Sequence, residues 1–172
     1  MRYIILSAAL IFSLSLFSQS IYKSSEISFY YPDNYKISEK RLIQNVDVKL
    51  IPDDNSHNLI ITEVPKENSP SSIDKIKIDD FINAFKSEIR YALRQSGMTG
   101  KIFVPKIERK KINNKEFISF LVSTKVDAVN YQINQLVYVY VKDQRQFNFI
   151  ASGETGDYSS VLNYIIKNFE LE

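Results

Sequence analysis

His57 is the only histidine in the chain, and it lies close in sequence to Asp53, Asp54 and Glu63. An imidazole beside two or three carboxylates could hold a zinc ion or act as a general base. The spacing matches no ligand motif, however, and Asp53-Asp54-Asn55-Ser56 is also the composition of a solvent-exposed hairpin loop whose Asx side chains close the turn. Gly153-Glu154-Thr155-Gly156-Asp157 resembles a phosphate-cradling loop in being rich in glycine. It lacks the lysine such a loop needs, and its own acids would repel an anion. No serine occupies a Gly-x-Ser-x-Gly elbow, so a hydrolytic triad would have to recruit His57 without a marked nucleophile. There is no cysteine, which excludes disulfides, thiolate metal sites, a cysteine nucleophile and lipidation of an N-terminal cysteine. No catalytic residue, metal site or cofactor is therefore expected.

Two further groups suit binding better than chemistry. Lys86, Arg90, Arg94, Lys101, Lys106, Arg109, Lys110, Lys111 and Lys115 fall in one stretch opposed only by Glu88 and Glu108. The core of this set, Lys86, Arg90, Arg94, Lys106, Arg109, Lys110 and Lys111, is the expected interaction surface for an acidic partner or an anionic membrane. The plainer explanation is a solvated helix face followed by a charged hairpin. Tyrosines cluster at Tyr30, Tyr31 and Tyr35 and again at Tyr131, Tyr138 and Tyr140. Tyrosine is common at interfaces but equally favoured in strands, so only exposure beside the basic stretch would mark a binding surface.

The elements that must position these residues begin after an N-terminal leader. Arg2, the apolar run Tyr3 to Phe17 and the small residues Ser18-Gln19-Ser20 have the order of a secretory signal peptide. Removal of residues 1–20 leaves 21–172 as one domain, expected to be secreted or periplasmic. Nothing after Phe17 is long and apolar enough to cross a membrane. The chain carries 22 basic and 20 acidic residues, and no field strong enough to capture nucleic acid follows from that balance.

Within the domain, Ile27 to Tyr31, Val46 to Leu50 and Asn58 to Val64 have strand patterns separated by turn residues. Ile82, Phe85, Ile89 and Leu93 form one apolar stripe on a helix spanning residues 79–95, with Asp79 as its cap and Gly97 as its stop. Lys101 to Lys110, Glu116 to Thr124, Tyr131 to Val141 and Gln146 to Ala151 continue as antiparallel strands, and Ser160 to Phe169 closes the chain as a helix. Ile118, Phe120 and Val122 oppose Phe117 and Leu121, while Val137, Val139 and Val141 oppose Leu136, Tyr138 and Tyr140. Both sheet faces therefore need apolar cover. The expected fold is α+β, an antiparallel sheet of about six strands covered by helices on both faces.

This order of elements resembles the Mog1/PsbP-like superfamily, which includes PsbP-related and DcrB-like bacterial periplasmic proteins. The segments that carry the likeness are Ile27-Ser28-Phe29-Tyr30-Tyr31-Pro32-Asp33-Asn34-Tyr35, Asn58 to Glu63, Ile78-Asp79-Asp80-Phe81, Asn113-Asn114-Lys115-Glu116-Phe117 and Tyr138 to Phe149 with the final helix. The resemblance implies an α/β/α sandwich and a non-enzymatic accessory or binding module with a protein or envelope partner. It carries over no functional residue. The alternative is a small-ligand-binding protein or hydrolytic enzyme with a pocket between sheet and helix.

Overall fold

The computed structural model describes residues 19–42, 45–127, 129, 131–153 and 158–172. Residues 1–18 of the expected leader and residues 154–157 of the Gly153–Asp157 motif lie outside the described residues. Eleven strands and two helices follow in chain order: β1 (Gln19–Lys23), β2 (Ile27–Pro32), β3 (Tyr35–Leu42), β4 (Asn45–Pro52), β5 (His57–Val64), α1 (Ile78–Gln95), β6 (Gly100–Phe103), β7 (Ile107–Ile112), β8 (Lys115–Val126), β9 (Tyr131–Lys142), β10 (Arg145–Gly153), α2 (Tyr158–Asn168) and β11 (Glu170–Leu171). Two 3₁₀ turns, Lys66–Asn68 and Ile73–Lys75, lead into α1.

The strands form two sheets rather than one. Eight make an antiparallel sheet in the order β3-β4-β5-β10-β9-β8-β6, with β7 beside β6 on the same edge of β8. β1, β2 and β11 form a separate three-stranded sheet. The expectation of about six strands with helices on both faces is thus corrected. One face of the large sheet packs α1, whereas the other packs α2 together with the small sheet. The physical reason is area. Seven strands abreast span about 29 Å, while an 11-residue helix is about 16 Å long and about 10 Å wide. Tyr22, Ile27 and Phe29 of the small sheet close what α2 leaves open.

The strands sort their side chains as the alternation demands. Phe117, Tyr138, Tyr140, Phe147 and Phe149 join Leu162, Ile165, Ile166 and Phe169 in one core. Ile118, Phe120, Val122, Val137 and Val139 join Ile82 in the other, with Phe81, Phe85 and Ile89 packed against it. Several boundaries differ from expectation. β3 has no counterpart among the expected strands; its Lys36-Ile37-Ser38-Glu39-Lys40-Arg41 is dense in charge, a composition that protects an edge strand. The single strand expected over Lys101 to Lys110 is split at Val104-Pro105-Lys106, where proline cannot donate to the ladder. β1 begins at Gln19, so the expected leader boundary at Ile21 falls inside it.

α1 starts one residue before its expected cap: Lys77 occupies the N-cap without a side-chain bond, and Asp79 and Asp80 lie in the first turn, where they favour the positive end of the dipole. Its end follows the expectation. Gly97 adopts φ +67°, Met98 N–H donates to Leu93 O at 2.8 Å and Gly97 N–H to Arg94 O at 3.0 Å, a Schellman stop. The two-residue hairpin loops Asn113-Asn114 and Asp143-Gln144 both have positive φ, the geometry that matches strand twist.

Candidate functional site

Of the carboxylates near His57 in sequence, Asp54 acts on it electrostatically, while Asp53 and Glu63 pair with Lys36 and Arg145. Among the described residues no group of three or more acidic, histidine or cysteine side chains could hold a metal. His57 opens β5 with both ring nitrogens engaged, Nε2 with Tyr35 Oη at 2.6 Å and Nδ1 with Ser56 Oγ at 2.8 Å. Burial pushes its pKa below the usual 6.5, opposed by Asp54. Asp54 accepts the Ser56 N–H at 2.9 Å, which lowers its own pKa. Asp53 pairs with Lys36 at 2.9 Å. The arrangement is a clip between the β4–β5 loop and the start of β3.

Glu63 lies at the far end of β5 and serves another purpose. Arg145 Nε and Nη2 donate to its two carboxylate oxygens at 2.7 and 3.1 Å, and Nη2 reaches Glu26 at 3.2 Å. The same guanidinium lies 5.0 Å from the centre of the Phe147 ring. This fork ties the loop before β2 to the large sheet, and Glu63 holds the Arg145 pKa above its ordinary value.

The basic residues divide. Arg109 pairs with Asp74 at 2.6 Å. Lys106 and Lys110 share Glu108, which lowers the Glu108 pKa, and Lys110 sits over the Tyr138 ring. Lys115 turns to the carbonyl of Phe169 and to Glu170. No ion pair engages Lys86, Arg90, Arg94 or Lys111 among the described residues. Phe81, Ala84, Phe85 and Glu88 line a cleft with β5 and β10. Helical periodicity therefore sets Lys86, Arg90 and Arg94 on the opposite flank of α1, toward β6 and β7.

Most of the singled-out tyrosines are structural: Tyr35, Tyr138 and Tyr140 are buried, and Tyr31 packs against the core. Tyr30 is 44% exposed, but the more informative aromatic was missed. Tyr91, between Arg90 and Arg94, is 66% exposed, and Phe103 and Ile107 on the adjoining edge strands are 55% and 43% exposed. Position 91 falls opposite the Ile82–Phe85–Ile89–Leu93 stripe, a signal that was present in the helical spacing.

Two neighbouring clefts open on the α1 face. One of about 660 Å³ lies over β4, β5, β10 and β9, with Lys49, Asn58, Gln135 and Ser152 in its wall. The other, about 280 Å³, runs beneath the last turn of α1 between Leu93, Met98, Thr124 and Ile133. They share Ile133 and Gln135. Among the described residues no helix is long and apolar enough to cross a membrane.

No family model matches the chain, and no curated protein matches it by sequence. Solved structures do. The solution structure of cyanobacterial PsbP (CyanoP) from Synechocystis superposes with a TM-score of 0.63 at 16% identity, covering 93% of this chain and 96% of that one. A crystal structure of a Bacteroides thetaiotaomicron protein superposes with a TM-score of 0.59 at 12% identity over 90% of this chain, which spans 48% of that larger protein. At such identities the likeness speaks of architecture and not of activity. The chain has a PsbP/Mog1-like fold.

Proposed function

We propose that this chain is an exported, non-enzymatic accessory module that binds an acidic protein partner of the cell envelope through α1 and the adjoining β6–β7 edge. The observation that carries the reading is the exposure of Tyr91 and Ile107 within the basic stretch, on the side of the sheet that packs α1. Arginine and tyrosine together are the usual anchors of protein interfaces. Lys86, Arg90, Arg94 and Lys111 supply positive charge not engaged in ion pairs with described residues, and charge of one sign steers an acidic partner into place. β6 and β7 terminate their side of the large sheet, so their outer backbone groups can also receive a partner strand. Export is inferred from the leader-like N-terminus of the sequence.

Affinity capture from envelope extract tests the interface. The unaltered protein is expected to recover an acidic partner, and Arg90→Glu with Arg94→Glu, or Tyr91→Ala alone, should reduce recovery at least about tenfold. The same partner captured at full yield by these variants would refute the assignment. Fractionation and the mass of the isolated protein test export: an envelope species lacking the leader is expected, and a cytoplasmic species beginning at Met1 would refute it.

A further inference from the structure

One row of side chains across the centre of the large sheet is polar where the next row is apolar. Asn58 of β5 stands opposite Ser152 of β10, and Ser152 stands opposite Gln135 of β9. Two residues along the same strands, on the same face, Ile60, Ile150 and Val137 form the apolar row. Val137 lies in the core that packs α1, and Ile150 packs against it. The polar row lines the cleft of about 660 Å³ over β4, β5, β10 and β9, and no residue of α1 contributes to that wall. Its volume lies within the roughly 300–1,000 Å³ of small-ligand sites.

The wall both donates and accepts hydrogen bonds. Among the described side chains only Thr124 Oγ1 is buried without a partner, and it takes no part here. The Asn58 amide and Gln135 Oε1 have no hydrogen-bond partner among the described residues and are not buried, so they open on the water of the cleft. Gln135 Nε2 donates to Ser152 Oγ at 3.3 Å, which leaves the Ser152 O–H to donate. Lys49, opposite Ile60 in the β4–β5 register, is exposed, and no ion pair engages it among the described residues. No carboxylate side chain lines the cleft. Water satisfies polar groups equally well on a flat surface and gives no reason for a concave wall of one sign. Such a wall focuses its potential on the space inside. The two amide oxygens would repel a simple carboxylate, which offers only acceptors. A ligand that carries a negative charge and also donates hydroxyls satisfies the whole set.

We infer that this cleft binds an acidic sugar, a hydroxylated ring bearing a carboxylate. The carboxylate pairs with Lys49, the hydroxyls exchange hydrogen bonds with Asn58, Ser152 and the Gln135 oxygen, and the C–H face of the ring lies on Ile60 and Ile133. Asn58 and Gln135 stand two strand spacings apart, about 10 Å, so one ring between them meets both. No residue of the basic flank lines the site. The inference therefore does not rest on the proposed partner, and the Arg90→Glu and Arg94→Glu variants should bind the sugar normally.

Calorimetric or NMR titration of the purified protein with glucuronate, glucose and acetate tests the inference. Glucuronate is expected to bind about three- to fivefold more tightly than glucose, because the Lys49 ammonium is exposed and its charge is screened. Acetate should bind at least about tenfold more weakly than glucuronate. Lys49→Gln should erase the preference for glucuronate over glucose while leaving glucose binding intact. Asn58→Asp keeps the shape of the side chain but turns its donor into a negative charge. It should abolish glucuronate binding without changing the circular dichroism spectrum. Absence of saturable glucuronate binding at millimolar probe, equal affinity for glucuronate and glucose, acetate binding as tight as glucuronate, or a preference that survives Lys49→Gln would each overturn it.

Discussion

The two faces of the large sheet are covered in different ways. On the α2 face, rings meet rings: Phe169 lies 5.0 Å from Phe149, 5.2 Å from Phe147 and 6.2 Å from Tyr140, all in edge-on contact. A helix and a second sheet share the work there, and most of the participants are fully buried. On the α1 face one helix lies across the sheet, and Phe81, Phe85 and Ile89 remain half-buried beside clefts. Apolar burial is roughly proportional to area removed from water, so the α2 face holds most of the stability. The α1 face retains open concave surface, and the proposed binding uses it together with Tyr91 on the outer side of α1 and Ile107 on β7.

The largest test of that division is Phe169→Ala, which should cost about 3–5 kcal/mol in urea unfolding because the cavity opens among rigid rings. Phe85→Ala on the other face should cost only about 1–2 kcal/mol. Equal losses would dissolve the distinction. Next comes the fork between the sheets. Arg145→Ala leaves Glu63 largely buried without its partner, and a loss of about 2–3 kcal/mol is expected, below the cost of breaking a fully buried pair because both groups keep some contact with water.

The His57 clip gives a smaller and pH-dependent effect. Tyr35→Phe should cost about 1 kcal/mol at neutral pH. Because the folded His57 pKa lies below 6.5, the unfolded chain binds the proton more readily. Stability should be complete above about pH 6.5 and fall as the pH drops through the folded value. Urea midpoints measured across that range should lose this acid slope in His57→Asn. The smallest change is Thr124→Val, expected to be neutral or stabilising by up to about 1 kcal/mol; a loss above that would mean that the hydroxyl has a structural partner after all.

Much of the local structure was legible in the chain. The Ile82–Leu93 stripe, the Gly97 stop and the alternation of Phe117 to Val122 all rest on contacts between near neighbours, and the order of elements pointed to the PsbP/Mog1-like fold. β3 was hidden because an edge strand can carry charges on a pattern otherwise typical of a loop, and β11 because two residues hold no period. The His57 cluster read differently in three dimensions, since Glu63 sits six residues along an extended strand and faces Arg145. The basic stretch was visible as composition, but its division among Asp74, Glu108 and the open flank of α1 depends on residues brought from elsewhere in the chain.

By itself the sequence determined the strand and helix periods, the need for apolar cover on both sides of the central strands, and the absence of any thiol chemistry. These follow from residue type and spacing, which act over a few positions. Only the tertiary structure decided that cover on one face comes from a second sheet and on the other from a single helix. It also decided that Thr124 is buried without a partner and that Tyr91 stands clear of the core. Those outcomes depend on how much area each element can shield, and that is a property of elements assembled against one another.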